Sequence, residues 1–547
     1  MAVINLNKKQ FESEIGKLDE KMQNKVAMFG TPIEKIDNED VEIEVFPNRP
    51  DLLSFQGFKR SFLAFLGKKT GLKKYNLNKP EKNYKVTIEN SVKDVRPYTV
   101  CSIVKGLKLD NENIKELIEI QEKLHITVGR KRKKLAIGIY PLEKIKLPIT
   151  YKALEPDKIR FIPLESNKKM SGLEILEKHP AGREYSQLLA GKTKFPIFID
   201  ANKDILSMPP IINSQLTGKI TEDTKDVFIE CSGFDKDILN KCLNIIITVL
   251  ADMGGKVYQM NVIGKKREIT PNLTTEKMKI SIENTNKLLG LNLEKKQIRQ
   301  LIEKMGHNYN KETVEIPSWR TDILHEVDLI EDIAIAYGYE NFIPVIPEIS
   351  TIGKENKKEI IKRKIAEILT GLNMLEVSNY HLTKKDDQNK KMGLSEKNKE
   401  KFIELEESKT EFSILRTNLT HYLLKIFSEN IDSEYPQQIF EIGKVFKADK
   451  DIIEDENLAA AITPGNFTEI KQILEYLSKM INIKIEIKET EKSKAYFIEG
   501  RVAEILINNK KIGFIGEIHP KILKNWRIKM PIALFEINLK EVFKELD

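Results

Sequence analysis

The stretch VFIECSGFDKDILNKCLNIIITVLADMGGKVYQMNVI, residues 227–263, decides the fold expected for the middle of the chain. Its first seven residues are strand-like, the segment KDILNKCLNIIITVLADMG is an amphipathic helix, and KVYQMNVI returns as a strand. Gly254 and Gly255 end the helix, because glycine accepts the left-handed conformation that closes many helices. This succession, with the strand-like segments YTVCSIVKGL, LAIGIYPL and FPIFID upstream, predicts an α+β domain.

Outward from this stretch, the pattern of strands and helices predicts an α+β multidomain protein with four parts. We expect an N-terminal α/β domain at 1–80, the α+β domain at 85–262 and a small helix–strand module at 268–345. The region 355–547 alternates strands with helices, which predicts one large, mainly antiparallel sheet with helices packed against it. The Lys-rich stretch 73–84 has the composition of a linker.

The composition is that of a folded protein with several domains. Of its 547 residues 40% are hydrophobic and 31% are charged, and the net charge of +8 arises from 90 basic against 82 acidic side chains. The three cysteines show no metal-ligand spacing, which predicts buried thiols in a reducing compartment. The longest apolar stretch, LNIIITVLADM, is too short to span a bilayer, so we expect a cytoplasmic protein without a membrane partner.

The segment RTDILHEVDLIEDIAIAYGYENF, residues 320–342, concentrates carboxylates on an amphipathic helix. If the helix runs from about 323 to 337, Asp328, Glu331 and Asp332 share one face. Asp322 then lies at the N-terminal boundary, where a carboxylate caps free N–H groups. Two interpretations stay open on spacing alone: a solvated acidic face paired with Arg320 or lysines, or a site for a hard divalent ion such as Mg²⁺.

Three smaller features have simple interpretations. The turn NRPD, residues 48–51, places Asp51 to cap the helix that follows it. His125 lies between two apolar residues and is interpreted as structural. The basic run GRKRKK, residues 129–134, either contacts nucleic-acid phosphates or forms a solvated loop.

Four stretches in order along nearly the whole chain resemble the beta subunits of phenylalanine–tRNA ligase, in their shorter archaeal and eukaryotic form. They are EVFPNRPDLLS (44–54), FPIFIDANKDILSMPPIINSQLTGKITEDTKDVFIECSG (195–233), PSWRTDILHEVDLIEDIAIAYGYENF (317–342) and LRTNLTHYLLKIFSENIDSEYPQQIFEIGKVF (415–446). The resemblance implies that the acidic helix module holds Mg²⁺. The ligands it implies are Asp322, Asp328, Glu331 and Asp332. Glu326 stays outside that set and is expected to be solvated.

The resemblance also implies an editing domain at 85–262, which would hydrolyse tRNA charged with the wrong amino acid, chiefly tyrosine. An apolar pocket rejects an added hydroxyl poorly, so a second checking site is physically reasonable. The candidate residues are Asn213, Ser214, Thr217 and Glu230. Glu230 is the candidate for bonding a tyrosyl hydroxyl, and Asn213 and Ser214 for lining the pocket or orienting water. Turn chemistry after Pro-Pro and a strand glutamate that faces solvent are the alternative explanation.

One pair departs from the family pattern within this domain. Tyr140-Pro141 stands where related sequences have His-Asp. The resemblance therefore does not extend to any role that this pair has in the family.

The region 355–547 resembles the core of a class II aminoacyl-tRNA synthetase, but with degenerate motifs. An active core stabilises the α-phosphate of ATP with arginine, in a Phe-Arg-x-Glu pattern at the end of a strand. Here the corresponding residues 446–449 are Phe-Lys-Ala-Asp, and the later candidate motif 511–523 contains no arginine. Arg416 survives and is expected to organise the sheet. We therefore expect a catalytically silent core that packs against a catalytic alpha subunit.

The leading interpretation is half of a heterotetramer of two alpha and two beta chains, which joins phenylalanine to tRNA(Phe) using ATP. One rival is a free-standing RNA-binding or regulatory protein derived from a synthetase core. Another is a Mg²⁺-dependent hydrolase using the carboxylates of 322–332, which is weakened by the lack of a nearby general base or nucleophile. The degenerate residues 446–449 do not separate the leading interpretation from the first rival.

Overall fold

The computed structural model describes residues 2–348, 351–394, 402–406, 408–490 and 494–546. Some residues of the part expected at 355–547 thus lie outside the described ranges. The chain divides into two compact units, Met1–Ile346 and Pro347–Asp547. In the described ranges, none of the helices has the length and apolar character needed to cross a membrane. All three cysteines are free and buried, which confirms the prediction of buried thiols.

The first unit begins with a three-stranded antiparallel sheet of order β1-β3-β2. Its elements are β1 (Ala2–Asn7), α1 (Lys8–Glu14), α2 (Glu20–Met28), β2 (Ile33–Ile36), β3 (Asp40–Val45) and α3 (Phe55–Phe65). Ser54 caps α3 by accepting a hydrogen bond from the Gly57 N–H. The prediction that Asp51 is this cap is therefore wrong. Asp51 is buried, and its carboxylate pairs with the Arg49 guanidinium instead.

The central part contains eleven strands of one extended sheet. Its elements are β4 (Leu77–Asn78), β5 (Lys85–Ile88), β6 (Tyr98–Lys105), α4 (Asn111–Ile126), β7 (Leu135–Pro141), β8 (Ile149–Leu154), β9 (Arg160–Phe161), β10 (Met170–Ser171), α5 (Gly172–Lys178), α6 (Pro180–Tyr185), β11 (Phe195–Ile199), β12 (Ile205–Met208), β13 (Ile212–Asn213), β14 (Val227–Gly233), α7 (Lys236–Asp252), β15 (Lys256–Ile263) and β16 (Arg267–Thr270). Strands β9 and β10 form a separate pair. The strand–helix–strand order predicted for residues 227–263 is confirmed as β14, α7 and β15.

Strand β15 joins the two halves of this sheet. Its first residues pair with β6, and β6 continues to β14 and β7. Its last residues pair with β5, and the sheet continues through β8, β11 and β12 to β13. Strand β4 also pairs with β15, so the stretch 73–84 is not simply a linker. Its backbone contributes ladder hydrogen bonds despite its polar composition.

The small helix–strand module expected at 268–345, which includes the acidic helix, contains a sheet of order β17-β19-β18 and three helices. Its elements are β17 (Glu276–Lys279), α8 (Ile282–Leu289), α9 (Lys295–Lys304), β18 (Asn308–Asn310), β19 (Thr313–Ile316) and α10 (Glu326–Tyr337). One hydrophobic core takes side chains from all three parts of the first unit, for example Phe58, Leu243 and Ile333. A second core, which includes Tyr140 and Phe228, lies within the central part.

The second unit is built on a seven-stranded sheet of order β20-β23-β24-β28-β27-β26-β25. Its elements are α11 (Lys357–Gly371), β20 (Leu375–Glu376), β21 (Leu382–Lys384), α12 (Lys385–Gln388), β22 (Phe412–Leu415), α13 (Thr420–Glu429), β23 (Gln437–Ala448), β24 (Ile452–Thr463), α14 (Phe467–Met480), β25 (Glu486–Glu489), β26 (Phe497–Ile507), β27 (Lys510–Ile518), α15 (Pro520–Asn525), β28 (Ala533–Asn538) and α16 (Lys540–Leu546). All pairs except β20–β23 are antiparallel, as the sequence predicts.

Helices cover both faces of this sheet. On β24, Leu458 and Ala460 enter the core formed with α11, α14 and α16. Their neighbours Ala459 and Ala461 enter the core formed with α13 and α15. This alternation follows from the two-residue period of a strand and explains why β24 is apolar on both sides.

Candidate functional site

The candidate editing residue Glu230 lies on β14, within the sheet. It is directly opposite Gly138 on β7, and two residues further along the ladder Phe228 faces Tyr140. Because side chains two apart on a strand share a face, Glu230, Phe228 and Tyr140 point to the same side of the sheet. Glu230 is fully buried, so the alternative of a solvent-facing glutamate is wrong.

The phenol of Tyr140 lies over this face and reaches the hairpin of β12 and β13. Its ring stacks on Phe228 with 5.8 Å between the centroids. Its hydroxyl oxygen lies 2.8 Å from Ser207 Oγ, 3.3 Å from Glu230 Oε1 and 3.4 Å from Asn213 Oδ1. A single phenol therefore joins β7, β14 and the β12–β13 hairpin at one buried point.

The electrostatics of this point keep its groups neutral. Burial raises the pKa of Glu230 to about 8, although Arg96 opposes that rise. Burial, and after it the neighbouring Glu230, raises the pKa of Tyr140 well above its ordinary value. A protonated Glu230 can donate a hydrogen bond as well as accept one. Its second oxygen, Oε2, has no hydrogen-bond partner among the described residues.

A small cavity of 110 Å³ adjoins Glu230 and Asn213. His125 and Arg132 also line it. His125 Nε2 accepts a hydrogen bond from the Ile137 N–H at 2.8 Å, which fixes α4 to β7 and agrees with a structural role. Arg132 donates to the Ile211 carbonyl at 2.9 Å and to Glu122 at 2.8 Å. One arginine of the basic run thus holds the wall of the cavity.

Ser214 and Thr217 do not line this cavity. The Ser214 hydroxyl accepts a hydrogen bond from the Leu216 N–H, and the Thr217 hydroxyl donates weakly to the Leu206 carbonyl at 3.5 Å. Both side chains are buried in the turn after β13. The turn chemistry considered as an alternative accounts for these two residues, whereas Asn213 and Glu230 share the cavity.

The acidic helix α10 begins at Glu326, later than expected. His325 is its N-cap, and Asp328 completes a capping box by accepting hydrogen bonds from the N–H groups of Leu324 and His325, each at 2.7 Å. Asp322 is therefore not the cap. Glu326 is not merely solvated either, since it accepts hydrogen bonds from the Ser281 N–H and the Asn284 amide.

A buried guanidinium, Arg320, lies among the proposed metal ligands. It forms a two-pronged pair with Asp322 at 2.9 and 2.7 Å, and its Nη1 lies 3.0 Å from Asp332. His307 Nε2 lies 2.7 Å from the same carboxylate oxygen, Asp332 Oδ2. Burial alone would raise the pKa of Asp332, but Arg320 and His307 outweigh it and hold that pKa far below its ordinary value.

The four expected ligands are not gathered around one point. Asp322 and Asp332 face Arg320, and Asp328 Oδ2 faces two backbone N–H groups. Burial, and then the three neighbouring aspartates, raises the pKa of Glu331. Among the described residues, no three His, Cys, Asp or Glu side chains are placed to hold a metal ion together. As arranged, the charges of Asp322 and Asp332 are balanced by Arg320, and Glu331 is the member of the set whose pKa burial and its carboxylate neighbours raise.

A cavity of 670 Å³ lies against the sheet of the second unit. Of the residues 446–449, Lys447 and Ala448 line it, and Lys447 pairs with Asp455 at 3.5 Å. Lysines supply the basic side chains of its described lining, which contains no arginine. Arg416 is buried instead and binds Glu441 at 2.6 Å and the Lys444 carbonyl at 2.7 Å, both on β23, which is the sheet-organising position expected for it.

Comparison with known proteins assigns nearly the whole chain to one family. Residues 278–339 match the model of the tRNA synthetase B5 domain, and residues 343–539 match that of the phenylalanyl-tRNA synthetase beta chain CLM domain. The phenylalanine–tRNA ligase beta subunit of Archaeoglobus fulgidus is 38% identical, with 99% of each chain covered. That of Thermococcus sibiricus is 39% identical over 91% of this chain and 90% of its own.

A solved structure gives the same assignment for the first unit. A crystallised N-terminal fragment of the phenylalanyl-tRNA synthetase beta subunit from Pyrococcus horikoshii is 37% identical, with a TM-score of 0.59. The match covers 61% of this chain and 99% of the fragment. The chain therefore belongs to the family of phenylalanine–tRNA ligase beta subunits, and it is a subunit of an aminoacyl-tRNA ligase that serves in phenylalanyl-tRNA synthesis.

Proposed function

We propose that this chain is the non-catalytic half of a heterotetramer of two alpha and two beta subunits, in which the alpha subunit joins phenylalanine to tRNA(Phe) using ATP. The observation that carries the proposal is the lining of the 670 Å³ cavity against the seven-stranded sheet. Its described lining offers lysines, Lys447 among them, but no arginine. Lysine is a point charge where the α-phosphate of ATP needs a planar, two-pronged donor. On this proposal, the second unit is a class II synthetase core that has lost activity.

Phenylalanine-dependent exchange between ATP and pyrophosphate tests the assignment of the active site to the alpha subunit. We expect this chain alone to fall below an alpha–beta mixture by at least about 10²-fold, since losing one electrostatic donor already costs that much. A variant carrying Lys447→Arg and Asp449→Glu is the matched control, and its mixture should match the wild type. Exchange by this chain alone would overturn the silent core. A mixture with neither exchange nor a complex would favour the free-standing RNA-binding protein.

Contact with tRNA(Phe) and a cytoplasmic location complete the proposal. Arg130, Lys131 and Lys133 of the basic run are exposed, so they are available to phosphates. Buried free thiols suit a reducing compartment. The resemblance also implies hydrolysis of tyrosyl-tRNA, but Tyr140 fills the point where Glu230 and Asn213 meet.

Magnesium at the acidic helix stays a proposal, and it has its own test. Besides burial, Asp332, Asp328 and Asp322 all raise the pKa of Glu331, so a bound cation would relieve that repulsion. We expect Mg²⁺ to raise the melting temperature of the full chain by a few degrees, because a ligand that binds only the folded state stabilises it. The rise should be lost in Glu331→Gln. The matched control is Glu326→Gln on the same helix. Equal shifts in both variants, or none in the wild type, would contradict the proposal.

A further inference from the structure

We infer that Tyr140 permanently occupies the position at which the Glu230–Asn213 pocket would recognise a tyrosyl hydroxyl, so that this chain does not hydrolyse tyrosyl-tRNA at that site. The inference rests on the proposed function, because the expectation of a checking pocket comes from the family. It reverses the expectation that the central part carries an active editing site.

The first support is the set of partners that the Tyr140 hydroxyl has. A site that recognises the extra hydroxyl of tyrosine must offer polar side chains to a phenol inside an apolar pocket. Glu230, the candidate for bonding a tyrosyl hydroxyl, and Asn213, a candidate for lining the pocket or orienting water, both lie within hydrogen-bond distance of the Tyr140 hydroxyl. Ser207 completes the set at 2.8 Å. Ser207 Oγ, Asn213 Oδ1 and Glu230 Oε1 are thus already placed against a phenol from the chain itself.

The second support is a matched glycine beneath the phenol. A Cβ atom on Gly138 would lie 2.1 Å from the Tyr140 hydroxyl and 2.6 Å from Glu230 Oε1. Neither distance is sterically possible for a side chain. Gly138 and Tyr140 are two residues apart on β7, so they face the same side of the sheet. The phenol of Tyr140 passes over Gly138, where β7 has no side chain. This pairing makes the phenol a built-in part of the pocket.

The third support is the space that is left. The cavity beside Glu230 and Asn213 measures 110 Å³, whereas pockets for small organic ligands measure about 300–1,000 Å³. Tyr140 is fully buried and stacked on Phe228, so it does not lie at a mouth from which it would swing into solvent. A tyrosyl group therefore has no room unless Tyr140 is removed.

The simpler alternative is that Tyr140 only fills space in the core and that the groups around its hydroxyl do not select for a phenol. Two small molecules separate the alternatives. p-Cresol is the tyrosine side chain and toluene is the phenylalanine side chain, and they differ only in the hydroxyl. A cavity left by an ordinary core residue would take both molecules, since apolar engineered cavities bind simple aromatics. A hydroxyl-recognition site would prefer p-cresol.

The binding experiment uses the full chain in complex with its alpha subunit and the variant Tyr140→Ala. We expect the wild type to bind neither molecule. The variant should bind p-cresol at least about tenfold more tightly than toluene, because bonded polar groups reject the analogue that lacks the hydroxyl. Adding Glu230→Gln and Asn213→Ala to Tyr140→Ala should reduce that preference. Equal binding of both molecules by the variant, or binding of p-cresol by the wild type, would overturn the inference.

A second measurement uses the wild-type protein, so it does not depend on whether a variant without the buried Tyr140 folds. The wild-type complex is mixed with tyrosyl-tRNA(Phe), and release of tyrosine is compared with the rate without protein. We expect no more than about a twofold increase, far below the roughly 10²-fold of a single acid–base group. Faster release that is abolished by Glu230→Gln would overturn the inference. The same preparation is assayed for attachment of phenylalanine to tRNA(Phe). If the complex does not attach phenylalanine, the result refutes the proposed function and not this inference.

Discussion

Arg320→Met is expected to destabilise the first unit by about 3–5 kcal/mol, the usual cost of removing one partner from a buried ion pair. The substitution leaves the carboxylates of Asp322 and Asp332 without their cation, and Arg320 is almost wholly buried between them. The folded-state pKa of Asp332 is depressed, so its stabilising contribution is present at neutral pH and is lost only as the pH falls through and below its ordinary value. The defect should therefore be largest near neutrality.

The measurement is denaturant unfolding followed by Trp319 fluorescence. The chain contains two tryptophans, so the substitution Trp526→Phe is made in every variant. Trp319, the residue before Arg320, is then the single tryptophan that fluoresces. Arg299→Met is the matched control, because Arg299 also pairs with a carboxylate, Glu303, but on the exposed surface of α9; we expect no measurable change there. Adding Asp332→Asn to Arg320→Met should recover part of the loss. Equal decreases in the free energy of unfolding of Arg320→Met and Arg299→Met would show that the buried ion pairs stabilise the protein no more than the exposed one.

The two carboxylates wrongly expected to cap helices share a pattern that explains the error. Asp51 follows Arg49 and Asp322 follows Arg320, each two residues later, and each pair is buried. A capping prediction assumes a carboxylate near solvent at a helix end. In a buried segment, an unpaired charge costs much more free energy than a missing helix cap. The carboxylate therefore pairs with the guanidinium. Burial depends on contacts distant in the chain, which the local pattern does not contain.

The strands and the long helix of the middle part were predictable because their signal is local. β14, α7 and β15 are apolar runs with clear ends at Gly233 and Gly254. The antiparallel sheet of the second unit follows from the same kind of pattern. The start of α10 was misplaced by a few residues, since the capping box of His325 and Asp328 outweighs apolar periodicity at the boundary.

The candidate site was predictable only in part. The resemblance indicates Asn213 and Glu230, and the structure brings them to one cavity. The residue that joins them, Tyr140, was visible in the sequence only as a departure from the family's His-Asp pair. Its contacts to Ser207 and Glu230 bridge strands far apart in the chain, and neither propensity nor spacing carries such information.

Glu230→Gln is expected to make the first unit more stable than the wild type at alkaline pH, with a gain that grows by about 4 kcal/mol between pH 5 and pH 9. In the unfolded chain the carboxyl ionises near its ordinary pKa, whereas burial holds the folded-state pKa at about 8. Between these two values the unfolded state binds fewer protons than the folded state, so the stability of the wild type falls as the pH rises. Glutamine keeps the shape and cannot ionise, which removes that loss.

The same Trp319 readout, repeated at several pH values, measures the gain. Glu177→Gln, an exposed glutamate on α5, is the matched control, and its stability should run parallel to the wild type at every pH. If the curves of Glu230→Gln and the wild type are also parallel, the Glu230 carboxyl is not held neutral by burial. A growing gain would show that the Glu230 carboxyl beside Tyr140 is protonated in the folded protein at neutral pH. A protonated carboxyl bonded to a resident phenol is a stable internal arrangement, which is the state that leaves no vacancy for a substrate tyrosine.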